Sequence, residues 1–116
     1  MNFSDKEKKI IGDFYRYISI PKPEKELYLL KWKYGTTVLA KTDIIYESDN
    51  ELDFNDPEYE DFICIVICIK KIINFNVSDG FKKEWFNEGQ LLGINYHNFP
   101  EEIYNSKGEL ISKKEN

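Results

Sequence analysis

Eight consecutive apolar residues, "FICIVICI" from Phe62 to Ile69, constrain the fold of this chain more than any other stretch. Ile63, Ile65, Ile67 and Ile69 alternate with Phe62, Cys64, Val66 and Cys68, so an extended chain presents apolar side chains to both faces. The β-branched content favours a strand over a buried helix, and a strand greasy on both faces belongs inside a sheet. Eight residues fall far short of the roughly 20 that a membrane helix requires. The run therefore predicts a central strand, and no membrane association.

The segments around it supply what such a strand pairs and packs with. "SDKEKKIIGDFYRYIS" places Ser4 three residues before Glu7, the spacing of a capping box. Ile10, Ile11, Phe14, Tyr17 and Ile18 then fall on one helical stripe, which Gly12 weakens by about 1 kcal/mol relative to alanine. "PKPEK" ends this helix. "ELYLLKWKYG" switches to period two, with Tyr28, Leu30, Trp32 and Tyr34 on one face, and Gly35 turns it into a second strand, "TVLAKTDIIYE". "FKKEWFNEG" reads as a short helix with Phe81 and Trp85 four apart and Gly89 at its end. "QLLGINYHNF" alternates again, Leu92, Ile94 and Tyr96 sharing a face. "PEEIYNSKGELI" allows a helical turn from Pro100, then a glycine turn into a last strand. The expectation is α+β: one N-terminal amphipathic helix on a mainly antiparallel sheet of four to five strands, in one globular domain spanning 1–116, with residues 112–116 a frayed tail.

Charge is distributed unevenly. The chain has 21 acidic and 16 basic residues, a net charge of -5. Eight of the acids lie in "YESDNELDFNDPEYEDF", from Tyr46 to Phe62, where there is no basic residue. With those set aside, 13 acids face 16 basic residues, leaving the rest of the chain at +3. The negative charge is local. Arg16 is the one arginine, and without arginine's planar fork an acidic chain is poorly equipped to bind nucleic acid. Abundant Lys, Ile and Asn is what an AT-rich bacterial genome encodes. No secretory signal is legible near Met1, so the expected location is the cytoplasm.

The chemistry open to these residues is limited. Asp49, Glu51, Asp53 and Glu60 fall at positions one, three, five and twelve of a calcium loop, but Phe54 occupies the position where the bend requires glycine. No metal and no cofactor is expected. Cys64 and Cys68, four apart on a strand, lie about 13 Å from each other, too far for a disulfide, and read as core residues. His97, the one histidine, falls opposite the apolar set of its strand and reads as a surface or loop residue. It has no nucleophile in a recognisable setting, so no catalytic residue is assigned.

Recognition remains. Glu47, Asp49, Glu51, Asp53, Asp56 and Glu58 would steer a basic protein partner, and Phe54 and Tyr59 would anchor it. The plainer alternative is a solvated connection in which Leu52 and Phe54 tuck under the sheet. Two other readings stand beside it: a small hydrolase-like enzyme with a carboxylate/His97 site, and a homo-oligomer built on a Trp32/Tyr34 face or an open sheet edge.

"YGTTVLAKTDIIYESDN" and "INYHNFPEEIYNSKGELI", in a small acidic α+β chain, resemble the small bacterial immunity proteins of polymorphic toxin systems. The resemblance implies inhibition by occlusion: a carboxylate-bearing surface plugs a cytotoxic domain, often a basic nuclease. No catalytic residue carries over with it.

Overall fold

The computed structural model describes residues 5–21 and 26–114. Helix α1 spans Asp5–Ser19, and the strands are β1 (Tyr28–Lys31), β2 (Thr37–Asp49), β3 (Asp61–Asn74), β4 (Leu91–Ile94), β5 (Glu102–Tyr104) and β6 (Leu110–Lys113). All pairings are antiparallel and the order is β4-β3-β2-β1-β5-β6. The α+β class holds, but the described residues form six strands where four to five were expected.

The additional pairing comes from the C-terminal segment. No helical turn follows Pro100. Glu102–Tyr104 is strand, and a turn through Gly108 returns β6 against it. Ser112 is buried and Lys114 N–H bonds Glu101 O at 2.8 Å, so pairing continues past the point where a tail was expected to begin. The Phe81–Gly89 stretch is likewise not a full helix. It holds one 3-10 turn, Lys83–Trp85, which buries Phe86 and leaves Trp85 63% exposed.

β3 carries the core as its pattern requires. Ile63, Ile65, Ile67 and Ile69 are buried on the side that receives α1, with Cys64 and Val66 buried on the other. Each fully buried isoleucine contributes about 2 kcal/mol. The helix stripe meets this face through Ile10, Ile11 and Phe14, and Phe14 packs edge-on against Tyr28 at 5.2 Å. Both cysteines are free. Trp32 belongs to the core, its indole N–H donating to Asn98 O at 2.7 Å. Tyr34 lies beyond the end of β1, exposed in the turn where Gly35 adopts φ 106. The expected Trp32/Tyr34 face therefore does not form, because the strand ends at Lys31 and the alternation stops with it.

Strand lengths decide the shape. β1 pairs with β2 only over Thr37–Ala40, and β4 reaches β3 only as far as Ile65. β2 and β3 outrun both neighbours, so Tyr46–Asp49 and Asp61–Cys64 continue as a two-stranded ribbon closed by residues 50–60. One helix residue secures the base of this ribbon. Ile63 N–H has no β4 residue to bond, and the buried Glu7 carboxylate accepts it at 2.8 Å. Glu7 was expected to close a capping box. Its carboxylate binds the sheet, while the capping-box partner Ser4 lies outside the described residues, as do Lys22–Lys25 of the expected helix stop.

Removing that acceptor orphans a buried N–H. Glu7→Ala is expected to lower unfolding free energy by about 2 kcal/mol in urea titration. Glu7→Gln, which keeps an acceptor, is expected to cost less than half as much. Equal stability of Glu7→Ala and the unaltered chain would show the bond to be dispensable.

Candidate functional site

The ribbon brings the acidic segment together. Glu47 and Asp49 are exposed on the end of β2, and Asp61 opens β3 directly opposite Asp49. Glu51, Asp53 and Glu58 are exposed in the closing loop, and Asp56 is partly so. Asp and Asn side chains fold this loop by accepting from backbone N–H groups two residues on, the Asx-turn geometry. Asp49 accepts from Glu51 at 2.8 Å, Asp53 from Asn55 at 3.0 Å and Asp56 from Glu58 at 2.8 Å. Asn50 spans the loop, donating to Glu58 O at 2.8 Å and accepting from Glu60 N–H at 3.2 Å. Glu51 takes the left-handed conformation, φ 64, at a cost of about 1 kcal/mol that these bonds offset.

Phe54 is 79% exposed and Leu52 41% exposed, so neither tucks under the sheet. Phe54 packs on Tyr59 instead, ring centroids 5.3 Å apart. Desolvation first, then the Asp49 and Asp61 carboxylates, raise the Tyr59 phenol above its ordinary value. Among the described residues the ion pairs are Arg16–Asp13 and His97–Glu60. No described lysine pairs with Glu47, Asp49, Glu51, Asp53, Asp56 or Glu58.

His97 is exposed, as expected, and meets a carboxylate that sequence spacing could not connect with it. Its Nε2 lies 2.7 Å from Glu60 Oε1, at the base of the ribbon. Its ring stacks on Tyr96 at 4.1 Å and meets Phe62 edge-on at 5.6 Å. A hydrogen bond from the Tyr96 hydroxyl, then His97 and more distantly Lys6, hold the Glu60 carboxyl below its ordinary value, although partial desolvation opposes them. Burial, then the bond to Glu60, push the Tyr96 hydroxyl up to about 12. General acid catalysis needs a carboxyl raised toward neutrality. Glu60 is shifted the other way, and the cluster joins the ribbon to the β4–β5 turn.

A cavity of about 510 Å³ lies on the sheet face opposite α1, between Leu29, Leu39 and Tyr104. It is lined by Lys31 and no acid, so it is not part of the acidic surface.

A group with a depressed folded pKa stabilises above its unfolded value, and the effect is lost as pH falls through the folded value. For Glu60 that window opens at 4.5 and extends downward. Glu60→Gln is expected to lower the melting temperature at pH 7, and the difference from the unaltered chain is expected to shrink as pH falls below 4.5. Parallel melting curves down to pH 3 would remove Glu60 as a fastener of the ribbon.

No curated protein and no solved structure matches the chain. A family model described as cognate immunity protein YxxD matches residues 14–116, from the middle of α1 through every strand. The chain belongs to this family of immunity proteins.

Proposed function

We propose that this chain neutralises its cognate toxin, in the cytoplasm, by placing the acidic β2–β3 ribbon against a basic surface of the toxin domain. Its family supplies the general role, a toxin partner for an immunity protein. One observation carries the finer reading: the local excess of carboxylates sits on a protruding ribbon, unpaired by any described lysine, around the exposed Phe54 and the half-buried Tyr59 it packs on. Two unpaired cysteines suit a reducing compartment.

The parts divide the work. Glu47, Asp49, Glu51, Asp53, Asp56 and Glu58 generate the field that draws a cationic partner in and sets its orientation. Phe54 and Tyr59 provide apolar area that becomes favourable once water is expelled from the contact. The loop's Asx turns hold the tip in one conformation, which lowers the ordering cost of binding. Inhibition then needs no chemistry from this chain, only that the ribbon cover what the toxin uses.

The test separates charge from contact. Asp53→Asn with Asp56→Asn keeps the turn acceptors and removes two charges, and Glu58→Lys reverses a third. By stopped-flow or surface plasmon resonance at low salt, this triple variant is expected to associate with the toxin domain about tenfold more slowly or worse, with a flatter salt dependence. Phe54→Ala is expected to leave association nearly unchanged and to speed dissociation about tenfold. Unchanged rates and salt slope for both variants would reduce the segment to a solvated connection.

A further inference from the structure

Among the described residues, one side of the ribbon is unpaired. From Ile45 onward no described strand lies against the outer edge of β2, since the β1 pairing reaches only to Ala40. The direction of the free backbone groups follows from one bond. Ile63 N–H points away from β2, to Glu7, so Glu47, directly opposite it, is in a pair whose N–H and C=O groups point outward. By the two-residue repeat, Ile45 and Asp49 on β2 do the same, while Tyr46 and Ser48 bond inward to β3. Among the described residues nothing bonds the outward groups of these three. The register shift between Thr42 and Ile45 interrupts the edge on its inner side. What is left is a five-residue template, Ile45 to Asp49.

We infer that the toxin adds a strand to this edge: an extended segment of about five residues with basic side chains at alternate positions. The inference rests on the acidic ribbon being the toxin-binding element. Its specificity comes from side-chain parity. On an added strand, the residues opposite Glu47 and Asp49 share their face and come within about 5 Å of them, where opposite charges stabilise and like charges destabilise. The residues between them share the other face with Tyr46, 44% exposed, and suit apolar side chains. Backbone bonding would supply affinity and these alternate contacts would supply choice of partner.

The same charges select against a second copy of this chain. Two β2 edges paired antiparallel about Glu47 would set Glu47 against Glu47, with each Asp49 close by, in a molecule that already holds Asp49 opposite Asp61. Negative charge and an irregular register are also the means by which edge strands avoid self-association. Here they leave the edge open to a cationic strand alone.

Amide hydrogen exchange by NMR on the unaltered chain tests this, free and in complex with the toxin domain. In the free chain, Ile45, Glu47 and Asp49 amides are expected to exchange far faster than those of Tyr46 and Ser48. In the complex, at least two of the three are expected to slow tenfold or more. A proline substitution removes an outward N–H while sparing an inward ladder, so Glu47→Pro is expected to weaken binding at least tenfold more than Glu47→Gln. If a complex forms and responds to the Asp53, Asp56 and Glu58 changes, yet the three amides stay fast, the added strand is overturned and the acidic-surface reading survives. If no complex forms, both fall together. Should Glu47→Pro fail to fold, the exchange data on the unaltered chain still decide.

Discussion

The pairing of β2 with β3 is the interaction on which the rest of the molecule depends. It is the longest in the sheet, running from Thr37↔Asn74 to Asp49↔Asp61. One part of β3 is the floor of the core, with Ile63, Ile65, Ile67 and Ile69 against α1. The other part is a support for the acidic loop. Because a single strand serves both purposes, the position of the loop is fixed by the same hydrophobic burial that folds the domain. The ribbon is an extension of the core into solvent, and it is not a loop hung on the side of the sheet.

Such an extension carries an electrostatic cost. Asp49 and Asp61 face each other across the ladder, and Glu47 lines a cavity of about 30 Å³ together with Glu7 and Asp61. Like charges at this range repel, although exposure to water weakens the repulsion to a fraction of its value in the interior. The domain compensates at the base. Glu7 satisfies Ile63 N–H, Glu60 is held ionised by Tyr96 and His97, and Phe62 packs against both of those rings. A chain selected for stability alone would have put lysine on one side of this hairpin. That it does not is the kind of local rule-breaking expected where a surface has work to do.

The fold was legible wherever a pattern had one physical solution. The alternation on both faces from Phe62 to Ile69 admits only an interior strand, and the stripe from Ile10 to Ile18 only an amphipathic helix. The failures cluster where short segments depend on neighbours. Phe81 and Trp85 have helical spacing, but one turn of 3-10 helix with Phe86 inward buries more, against Phe75 and Phe81. The C-terminal strands are three and four residues long, too short for periodicity to register. In the site, the acids were visible as composition, whereas their arrangement was not. Nothing in the spacing of Glu60 and His97, 37 positions apart, indicates that they touch. Ser48 and Asp49, beyond the strand read as far as Glu47, looked like the start of a loop because their side chains are polar. The backbone ladder, which carries no side-chain signature, makes them a strand.

Under the proposed binding mode, rigid presentation is what connects these details to inhibition. A flexible acidic tail would be attracted to a basic surface as strongly at long range, since the field depends on net charge more than on order. It would then lose conformational freedom on docking, at about 1–2 kcal/mol for each residue fixed. In the ribbon that freedom is already lost: by the β2–β3 ladder, by the Asx turns at Asp49, Asp53 and Asp56, and by the fastening of its base through Glu7 and Glu60. The free energy that a tail would spend on ordering is available here for affinity. If the ribbon is the toxin-binding element as proposed, the bonds that look purely structural are thereby part of how tightly the toxin is held.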